Sequence, residues 1–482
     1  MTDTQQGAAP TAPSAQPQSV ARLAVALIVG GITSILDTTI VTLGLHTLTQ
    51  ELHTSVSTSQ WVSTGYLLAL AVAIPFVSWA QARFGGKRLW LFALGLFVVG
   101  SALCACAWDI DALIAFRILQ GFGGGIMMPL MMTLAMQNVD PSTRTRTMAT
   151  MSLPAALGPI LGPVLAGIVL NWLSWRWLFL INVPLGVLGW ILAMLFLVDD
   201  RPARGVPRGR LDVVGAVLLA PALAGLLYGL SNTHDTGGFA RTDVLLPVIA
   251  GALLLAAFVW WALRRSDAAL VDLRLLGVRS VCTSSIALLL IGAALFAGNF
   301  LLPLYFQTLR GYSALNAAFL LIPQGAGALL ARFLAGKLVD RFGPRVIAVA
   351  GAVVMAAATV PFALAGVSTS LWYLGVILFI RGLGNGVVFI PIMTVAYVDI
   401  TRSQMADASA ITRISQQLGG AFGTALVAVV LTTAASPAHP AGGFDAAFWW
   451  VIAMTAGAAL ACLVIPGRAE HTTPAAPAPV AQ

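Results

Sequence analysis

The chain has 482 residues, of which 59% are hydrophobic and only 9% are charged, whereas soluble domains carry about 25% charged residues. This composition excludes a soluble enzyme and indicates an integral membrane protein. The formal net charge is +8, but the basic residues lie between apolar segments and form no aromatic-interleaved patch, which argues against a nucleic-acid partner. The four cysteines lie in apolar segments without metal-ligand companions, so we expect no metal site.

Apolar segments of about 20 residues, the length that crosses a bilayer, recur along the whole chain. The two ends, residues 1–22 and 467–482, are rich in Pro, Ala and polar residues and are predicted to be disordered tails. Basic loop residues concentrate after the even-numbered segments, so the positive-inside rule places both tails in the cytoplasm. The fourteen predicted spans lie near residues 23–45, 58–81, 88–107, 112–137, 148–170, 177–198, 213–230, 243–263, 280–308, 314–336, 346–366, 371–397, 408–433 and 446–466.

An internal repeat organises these spans. The stretch ARFGGKR at 82–88 follows the second span, and DRFGPR at 340–345 follows the tenth. Because the two copies are eight spans apart, we predict two related six-helix bundles, 23–198 and 280–466, with two inserted helices in the linker 199–279. The predicted fold is therefore all-α, with a substrate site between the bundles near the middle of the membrane.

Asp37, in the stretch SILDTTIV, lies inside a predicted span, whereas the other acids fall in tails, in loops or at span ends. A carboxylate inside a span costs roughly 2.5 to 3.5 kcal/mol on insertion scales, so a partner is required. At 1.5 Å per residue, Asp37 lies roughly 12 Å and Arg117 roughly 8 Å below the outer surface. We expect these two to pair, as a proton-exchanging couple or as a static ion pair. The other candidate partners are Arg332, Arg381 and Arg413.

The source of energy follows from what the sequence lacks. No G-x-x-x-x-G-K-[ST] phosphate loop occurs, and GFGGGI at 121–126 lies within a span, not between a strand and a helix. The segments outside the spans are too short for an enzyme domain. We therefore expect a transporter that needs no cofactor and is driven by the proton gradient, with a membrane scaffold or receptor as the remaining alternative.

Four motifs, in order along the chain, carry a resemblance to a known family. They are LDTTIV at 36–41, RILQGFGGG at 117–125, GPILGPVLAG at 158–167 and WRWLFLINVPLG at 175–186. The chain resembles the major facilitator superfamily, and within it the fourteen-span drug:proton antiporters of the EmrB/QacA type. The resemblance implies a rocker-switch exporter in which Asp37 carries the proton and Arg117 acts in the relay.

The resemblance also implies residues for conformational switching. On span 5, Gly158, Gly162 and Pro163 belong to a motif that seals the cavity against leak in such antiporters. The loop motif departs from the family pattern, because Ala82 replaces an acid and Ser78 replaces a glycine, while the second copy keeps both features. The predicted switching residues of the two loops are Arg83, Gly85, Arg88, Gly336, Asp340, Arg341 and Gly343.

The predicted ligand is an amphipathic drug or toxic compound, cationic ones included, because a mostly apolar cavity with few polar anchors suits such molecules. An exporter dedicated to one metabolite, antibiotic or siderophore is the alternative. We expect a monomer in the bacterial cytoplasmic membrane; whether a periplasmic adaptor takes part depends on the host having an outer membrane. The candidate cavity residues are Trp61, Tyr66, Gln120, Met128, Asn299, Tyr305, Gln307, Gln324, Arg381 and Asn385.

Overall fold

A computed structural model describes residues 20–54, 56–137, 143–151, 153–198, 211–232, 241–265, 269–366, 368–401, 404–434 and 441–467. Most of both predicted tails lies outside these ranges. Within them, all regular secondary structure is helical, which confirms the all-α membrane fold. Thirteen of the described helical stretches are long and apolar enough to cross a membrane.

The predicted span at 148–170 is the one not among those thirteen. It corresponds to two helices, α6 and α7, on either side of residue 152, which lies outside the described residues. The number fourteen therefore stays a prediction.

The first half of the chain forms nine helices among the described residues, and several spans are broken in two. A 3-10 turn at Ile74–Phe76, with Pro75 inside it, separates α2 from α3 within the second span. The helices are α1 (Val20–Glu51), α2 (Val56–Ala73), α3 (Val77–Phe84), α4 (Gly86–Ala105), α5 (Ile110–Gln137), α6 (Arg144–Met151), α7 (Leu153–Trp172), α8 (Trp177–Leu180) and α9 (Asn182–Phe196).

The inserted pair consists of α10 (Val213–Ser231) and α11 (Thr242–Arg264), which pack on each other. Asp212 joins the two helices where α10 begins and α11 ends. Its buried carboxylate caps α10 by accepting from the amide of Gly215 at 3.0 Å, and it accepts from Trp261 Nε1 of α11 at 3.1 Å. It also accepts from the amide of Leu270 at 3.2 Å. Asp212 is thus a buried helix cap and not a solvated loop residue.

The second half repeats the architecture of the first. A π-helical turn at Tyr305–Leu309 extends α12, and short helices precede α14 and follow α15. The helices are α12 (Arg279–Leu304), α13 (Ala314–Leu320), α14 (Ile322–Phe342), α15 (Pro344–Ala357), α16 (Val360–Ala363), α17 (Leu371–Val395), α18 (Met405–Thr433) and α19 (Gly442–Leu463).

The two copies of the loop motif adopt the same backbone conformation. Gly85 and Gly343 both have φ of 84°, a value that side-chain-bearing residues rarely adopt. Each amide closes the preceding helix at 2.8 Å, Gly85 on the carbonyl of Gln81 and Gly343 on that of Val339. The repeat seen in the sequence is therefore also a repeat of structure, and glycine is required at both turns.

The next basic residue in each copy also plays the same role. Lys87 Nζ donates to the carbonyls of Met194 at 2.8 Å and Leu197 at 2.6 Å, at the C-terminal end of α9. Arg345 Nε donates to the carbonyl of Ile465 at 2.6 Å, just beyond α19. A cation at a helix C-terminus satisfies carbonyls that the helix leaves free and complements its dipole.

Among the described residues, the hydrophobic core is shared between the halves at one end. A single buried cluster contains Met131 and Met148 of the first half together with Tyr397 and Met405 of the second. At the other end, each half has its own separate cluster. The predicted topology assigns the shared end, called here the inner end, to the cytoplasm.

Polar contacts join the halves at the same inner end. Ser409 Oγ of α18 donates to the carbonyl of Pro129 in α5 at 3.0 Å, and both residues are buried. A Cβ placed on Gly336 of α14 would lie 3.8 Å from Cα of Arg146 in α6. The structure is therefore closed at its inner end.

Candidate functional site

Asp37 lies in the middle of α1 and has no exposed surface. Its Oδ2 accepts a hydrogen bond from Arg117 Nη1 of α5 at 2.5 Å. Its Oδ1 accepts from Gln120 Nε2 at 3.0 Å and from Asn182 Nδ2 of α9 at 2.8 Å. The carboxylate thus has three side-chain donors from two other helices, which offset the cost of burying it.

Arg117 is 1% exposed and has hydrogen-bond and aromatic partners in addition to Asp37. Its Nε donates to the carbonyl of Val62 at 3.0 Å, and Nη1 also donates to Gln120 Oε1 at 2.7 Å. The guanidinium lies 4.1 Å from the ring centroid of Tyr66 and 5.7 Å from that of Phe179. Cation–π contact with two rings adds to the ion pair in a dry environment.

Gln120 connects the two charges to the neighbouring helix α4. While its carbonyl accepts from Arg117 and its amide donates to Asp37, the amide also donates to Ser101 Oγ at 2.6 Å. Gln120 has no exposed surface. The sequence predicted that Gln120 lines the substrate cavity. In this structure it is instead a buried member of the ion-pair network.

Tyr66 likewise belongs to this network. It is 1% exposed, and its hydroxyl lies 3.1 Å from Ser34 Oγ of α1, one turn before Asp37. The network therefore comprises Asp37, Arg117, Gln120, Ser101, Asn182 and Tyr66, from five helices, and is called here the acid–arginine network.

The glycines of span 5 lie beside this network. On α7, Gly158 faces Ile35 of α1 and Gly162 faces Thr39, so the two contacts bracket Asp37. Thr39 Oγ1 also lies 3.3 Å from the carbonyl of Gly158. This small-residue face packs α7 closely against the helix that carries the acid. The side chain of Pro163 lies outside the described residues.

The loop residues predicted for switching occupy two environments. Gly85, Gly343 and Gly336 are buried or half-buried at turns and contacts described above, whereas the charged side chains are exposed at the inner end. Arg341 stacks over its neighbour Phe342 at 5.2 Å. The exposed charged residues are Arg83, Arg88, Asp340 and Arg341.

Two predicted cavity residues are placed elsewhere by the structure. Tyr305 is 1% exposed and packs among Phe306, Phe362 and Phe448 at centroid distances of 5.3 to 6.0 Å, so it is part of the core of the second half. Trp61 is stacked on Tyr228 of α10 at 5.4 Å. Its ring faces the inserted helix pair, because the rotation of a helix about its axis cannot be read from span length.

The remaining cavity candidates divide into a connected group and scattered ones. Arg381 Nη1 donates to Gln324 Oε1 at 2.9 Å, and Gln324 Nε2 donates to Asn299 Oδ1 at 3.5 Å. Asn299 is exposed, Gln324 is half-buried and Arg381 is 1% exposed, so the three lead from the surface into the interior. Met128, Gln307 and Asn385 are half-buried.

Sequence reasoning missed two members of the acid–arginine network, Ser101 and Asn182. Both are neutral residues in apolar spans, so neither hydropathy nor charge singled them out. Asn182 lies within the motif WRWLFLINVPLG, and that motif was the signal that could have identified it. Its Oδ1 is buried, and no hydrogen-bond partner for it is found in the described part of the chain.

Comparison with known proteins agrees with this architecture. The family model described as Major Facilitator Superfamily matches residues 27–424. The chain is 37% identical to "Multidrug resistance protein B homolog" of Mycobacterium tuberculosis over 399 residues, which cover 82% of this chain and 73% of that protein. It is 31% identical to "Putative multidrug resistance protein MdtD" of Serratia proteamaculans, with 82% of each chain covered.

Solved structures show the same fold at low sequence identity. The proton:xylose symporter XylE, solved with 6-bromo-6-deoxy-D-glucose, superposes with a TM-score of 0.65 at 17% identity, covering 93% of this chain and 96% of its own. The family match spans most of the chain and all elements of the acid–arginine network. The protein therefore belongs to the Major Facilitator Superfamily and is a multi-pass membrane transporter.

Proposed function

We propose that this transporter is a proton-coupled antiporter that exports amphipathic compounds across the bacterial cytoplasmic membrane. The observation that carries the proposal is the unexposed carboxylate of Asp37, whose partners are an arginine and two amides. The names of the relatives support drug export. An antiporter of the fourteen-span EmrB/QacA type is the finer assignment that we propose.

The first step of the cycle is suggested by the closed inner end. In this state Asp37 has no contact with solvent, so a proton from outside reaches it only when Arg117 moves away. Separating the pair leaves a carboxylate in a dry site, where protonation removes the cost of the buried charge. Proton uptake and disruption of the ion pair are therefore coupled, which is what an alternating-access exchanger needs.

Asn182 is suited to both protonation states of Asp37. Its amide nitrogen donates to the carboxylate at 2.8 Å, while its carbonyl oxygen is buried without a partner among the described residues. Rotation of the amide by half a turn presents that oxygen to a protonated Asp37, whose O–H then has an acceptor. We propose that this rotation keeps the network satisfied after the proton is bound.

The test uses everted membrane vesicles with an imposed pH gradient. A growth-inhibition panel first identifies a transported compound by comparing expressing with non-expressing cells. Adding that compound to vesicles that contain the wild-type protein should then release protons, which dequenches a pH-sensitive dye. The variant Asp37→Asn should abolish the dequenching, since an amide cannot carry the proton.

The matched control is Asp243→Asn. Asp243 is an exposed acid on α11 that pairs with Arg241, far in sequence from the network, and its loss should leave proton release unchanged. If Asp37→Asn vesicles release protons as the wild type does, Asp37 is not the carrier.

A further inference from the structure

Arg381, in the middle of α17, is a buried cation without an acidic partner. Its Nε donates to Thr359 Oγ1 at 3.2 Å and its Nη1 to Gln324 Oε1 at 2.9 Å, both uncharged acceptors. Its Nη2 is buried and finds no hydrogen-bond partner among the residues that the structure describes. Among the described residues, no carboxylate forms an ion pair with it, although it is only 1% exposed.

The internal repeat shows which residue occupies the corresponding place in the first half. Three glycines with the same spacing on α5 and α17 pack against corresponding residues of the two halves. These contacts are Gly121 with Tyr66, Gly123 with Phe97 and Gly125 with Leu70, and then Gly382 with Gln324, Gly384 with Met355 and Gly386 with Ala328. Arg381 therefore corresponds to Gln120, because each precedes the first glycine.

The same correspondence assigns counterparts to the ion pair. Counting back along α17, Leu378 corresponds to Arg117. Gly158 and Gly162 lie against Ile35 and Thr39, as Gly419 and Gly423 lie against Leu289 and Ala293, so Ile291 corresponds to Asp37. Ile291 and Leu378 have no exposed surface. At these two positions the second half thus has apolar residues in place of the ion pair, and on α17 it carries Arg381, for which the described residues provide no ion-paired carboxylate.

The buried acid of the first half is already paired. Asp37 already has Arg117 and two amides as partners. Burying a guanidinium without a counter-charge is costly, and an anion that binds beside it lowers that cost. Such an anion reaches Arg381 along Asn299 and Gln324, two polar side chains that lead inward from the exposed surface.

We propose that Arg381 binds the negatively charged group of the transported compound, so that the substrate class is amphipathic anions such as aromatic carboxylates and sulfonates. This inference rests on the proposed export function and makes its substrate class specific. Arginine suits the task because its planar fork matches the geometry of carboxylate oxygens. Nη2 lies against Gly298 of α12 and has no hydrogen-bond partner among the described residues, so it is the guanidinium nitrogen whose donors are not yet used.

The proposal fixes the electrical sign of the transport cycle. Exporting a monoanion while one proton enters moves two positive charges inward, so transport is electrogenic and the membrane potential drives it. Exchange of a monocation for one proton moves no net charge. The two substrate classes are therefore separable by the current that accompanies transport.

The experiment uses three dansyl compounds of similar size and the full-length protein in proteoliposomes. Dansyl-phenylalanine is anionic, its primary amide is neutral and dansylcadaverine is cationic. We expect transport of dansyl-phenylalanine with an inward positive current. The variant Arg381→Gln should raise its half-saturating concentration about 10- to 100-fold, the range for losing a hydrogen bond to a charged group. Transport of the amide should change little.

Arg381→Lys is the companion variant, since it keeps the charge and loses the fork. It should retain part of the affinity for dansyl-phenylalanine, whereas a purely structural role for Arg381 would lower transport of all three compounds together. Arg310→Gln, at an outer loop, is the control cation: it donates to the carbonyl of Thr369 at 2.8 Å and should not alter the selectivity.

The outcomes separate this inference from the proposed function. Proton-coupled transport of dansylcadaverine with no transport of dansyl-phenylalanine overturns the anion assignment and leaves the exchanger in place. Transport of dansyl-phenylalanine that is unaffected by Arg381→Gln also overturns it. Anion transport that depends on Arg381 but shows no proton movement supports the inference and contradicts proton coupling.

Discussion

The two halves of this transporter share a scaffold and differ in the chemistry placed on it. The loop glycines Gly85 and Gly343 have the same φ, and Lys87 and Arg345 close corresponding helix ends. In the interior, however, the first half holds an ion pair with several hydrogen-bond partners, whereas the second half has apolar residues at the corresponding positions and its Arg381 hydrogen-bonds to neutral groups. The two halves share their backbone packing and differ in their buried charged residues.

The difference teaches that small residues and turns define the bundle, and that buried charges are added where function needs them. An ion pair in the interior is weak evidence for stability, since an apolar pair of similar size is often as stable. The second half shows this within the same molecule, because Ile291 and Leu378 fill the corresponding positions. Coupling is thus expected from one half and recognition of the ligand from the other.

The largest effect should come from breaking the ion pair on one side only. Arg117→Leu leaves Asp37 buried without its cation, which should lower the free energy of unfolding by about 3 to 5 kcal/mol. The double variant Asp37→Ile with Arg117→Leu copies the second half and should recover most of that loss. Proton coupling should remain absent from both variants. Denaturant titration in detergent and the vesicle assay measure the two properties.

The outcome of that pair of variants tests the comparison directly. If the double variant is no more stable than Arg117→Leu, the two halves are not equivalent at these positions. A stable double variant that still releases protons would show that another group carries them.

The fold and the ion pair could be predicted from sequence for physical reasons. Transmembrane helices are recognised by apolar segments of about twenty residues. An acid inside such a segment, such as Asp37, needs a cation at similar depth in the membrane. Which face of each helix packs against the neighbouring helices could not be predicted, because nearly every face of these spans is apolar. Trp61 and Tyr305 therefore have other neighbours in this structure than the sequence suggested, and the neutral partners Ser101 and Asn182 were missed.

A smaller effect is expected from Asn182, a neutral partner of the buried acid. Asn182→Ala removes one donor to Asp37 Oδ1 and should cost about 1 to 3 kcal/mol of stability, the range for a lost hydrogen bond to a buried charge. If the amide rotates on protonation, the variant should also slow proton release more than it weakens substrate binding. Vesicle assays at several substrate concentrations separate these two effects; equal changes in both would argue against rotation.

The next effect concerns the shared scaffold and should be the same in both halves. Gly121→Ala and Gly382→Ala each place a Cβ against the backbone of the facing helix, and overpacking of this kind costs about 1 to 3 kcal/mol. Thermal unfolding in detergent should show similar decreases for the two variants. A large difference between them would mean that only one half depends on close helix approach.

The smallest effect is expected at the helix ends that the repeated cations close. Lys87→Met and Arg345→Met retain most of the apolar length of each side chain and remove the hydrogen bonds to the carbonyls at the ends of α9 and α19. Each should lower stability by about 0.5 to 1.5 kcal/mol, because water can replace part of what is lost at these partly exposed sites. Hydrogen exchange at the last turns of α9 and α19 measures the stability of each helix end separately. Unchanged protection in both variants would show that these cations do not stabilise the helix ends.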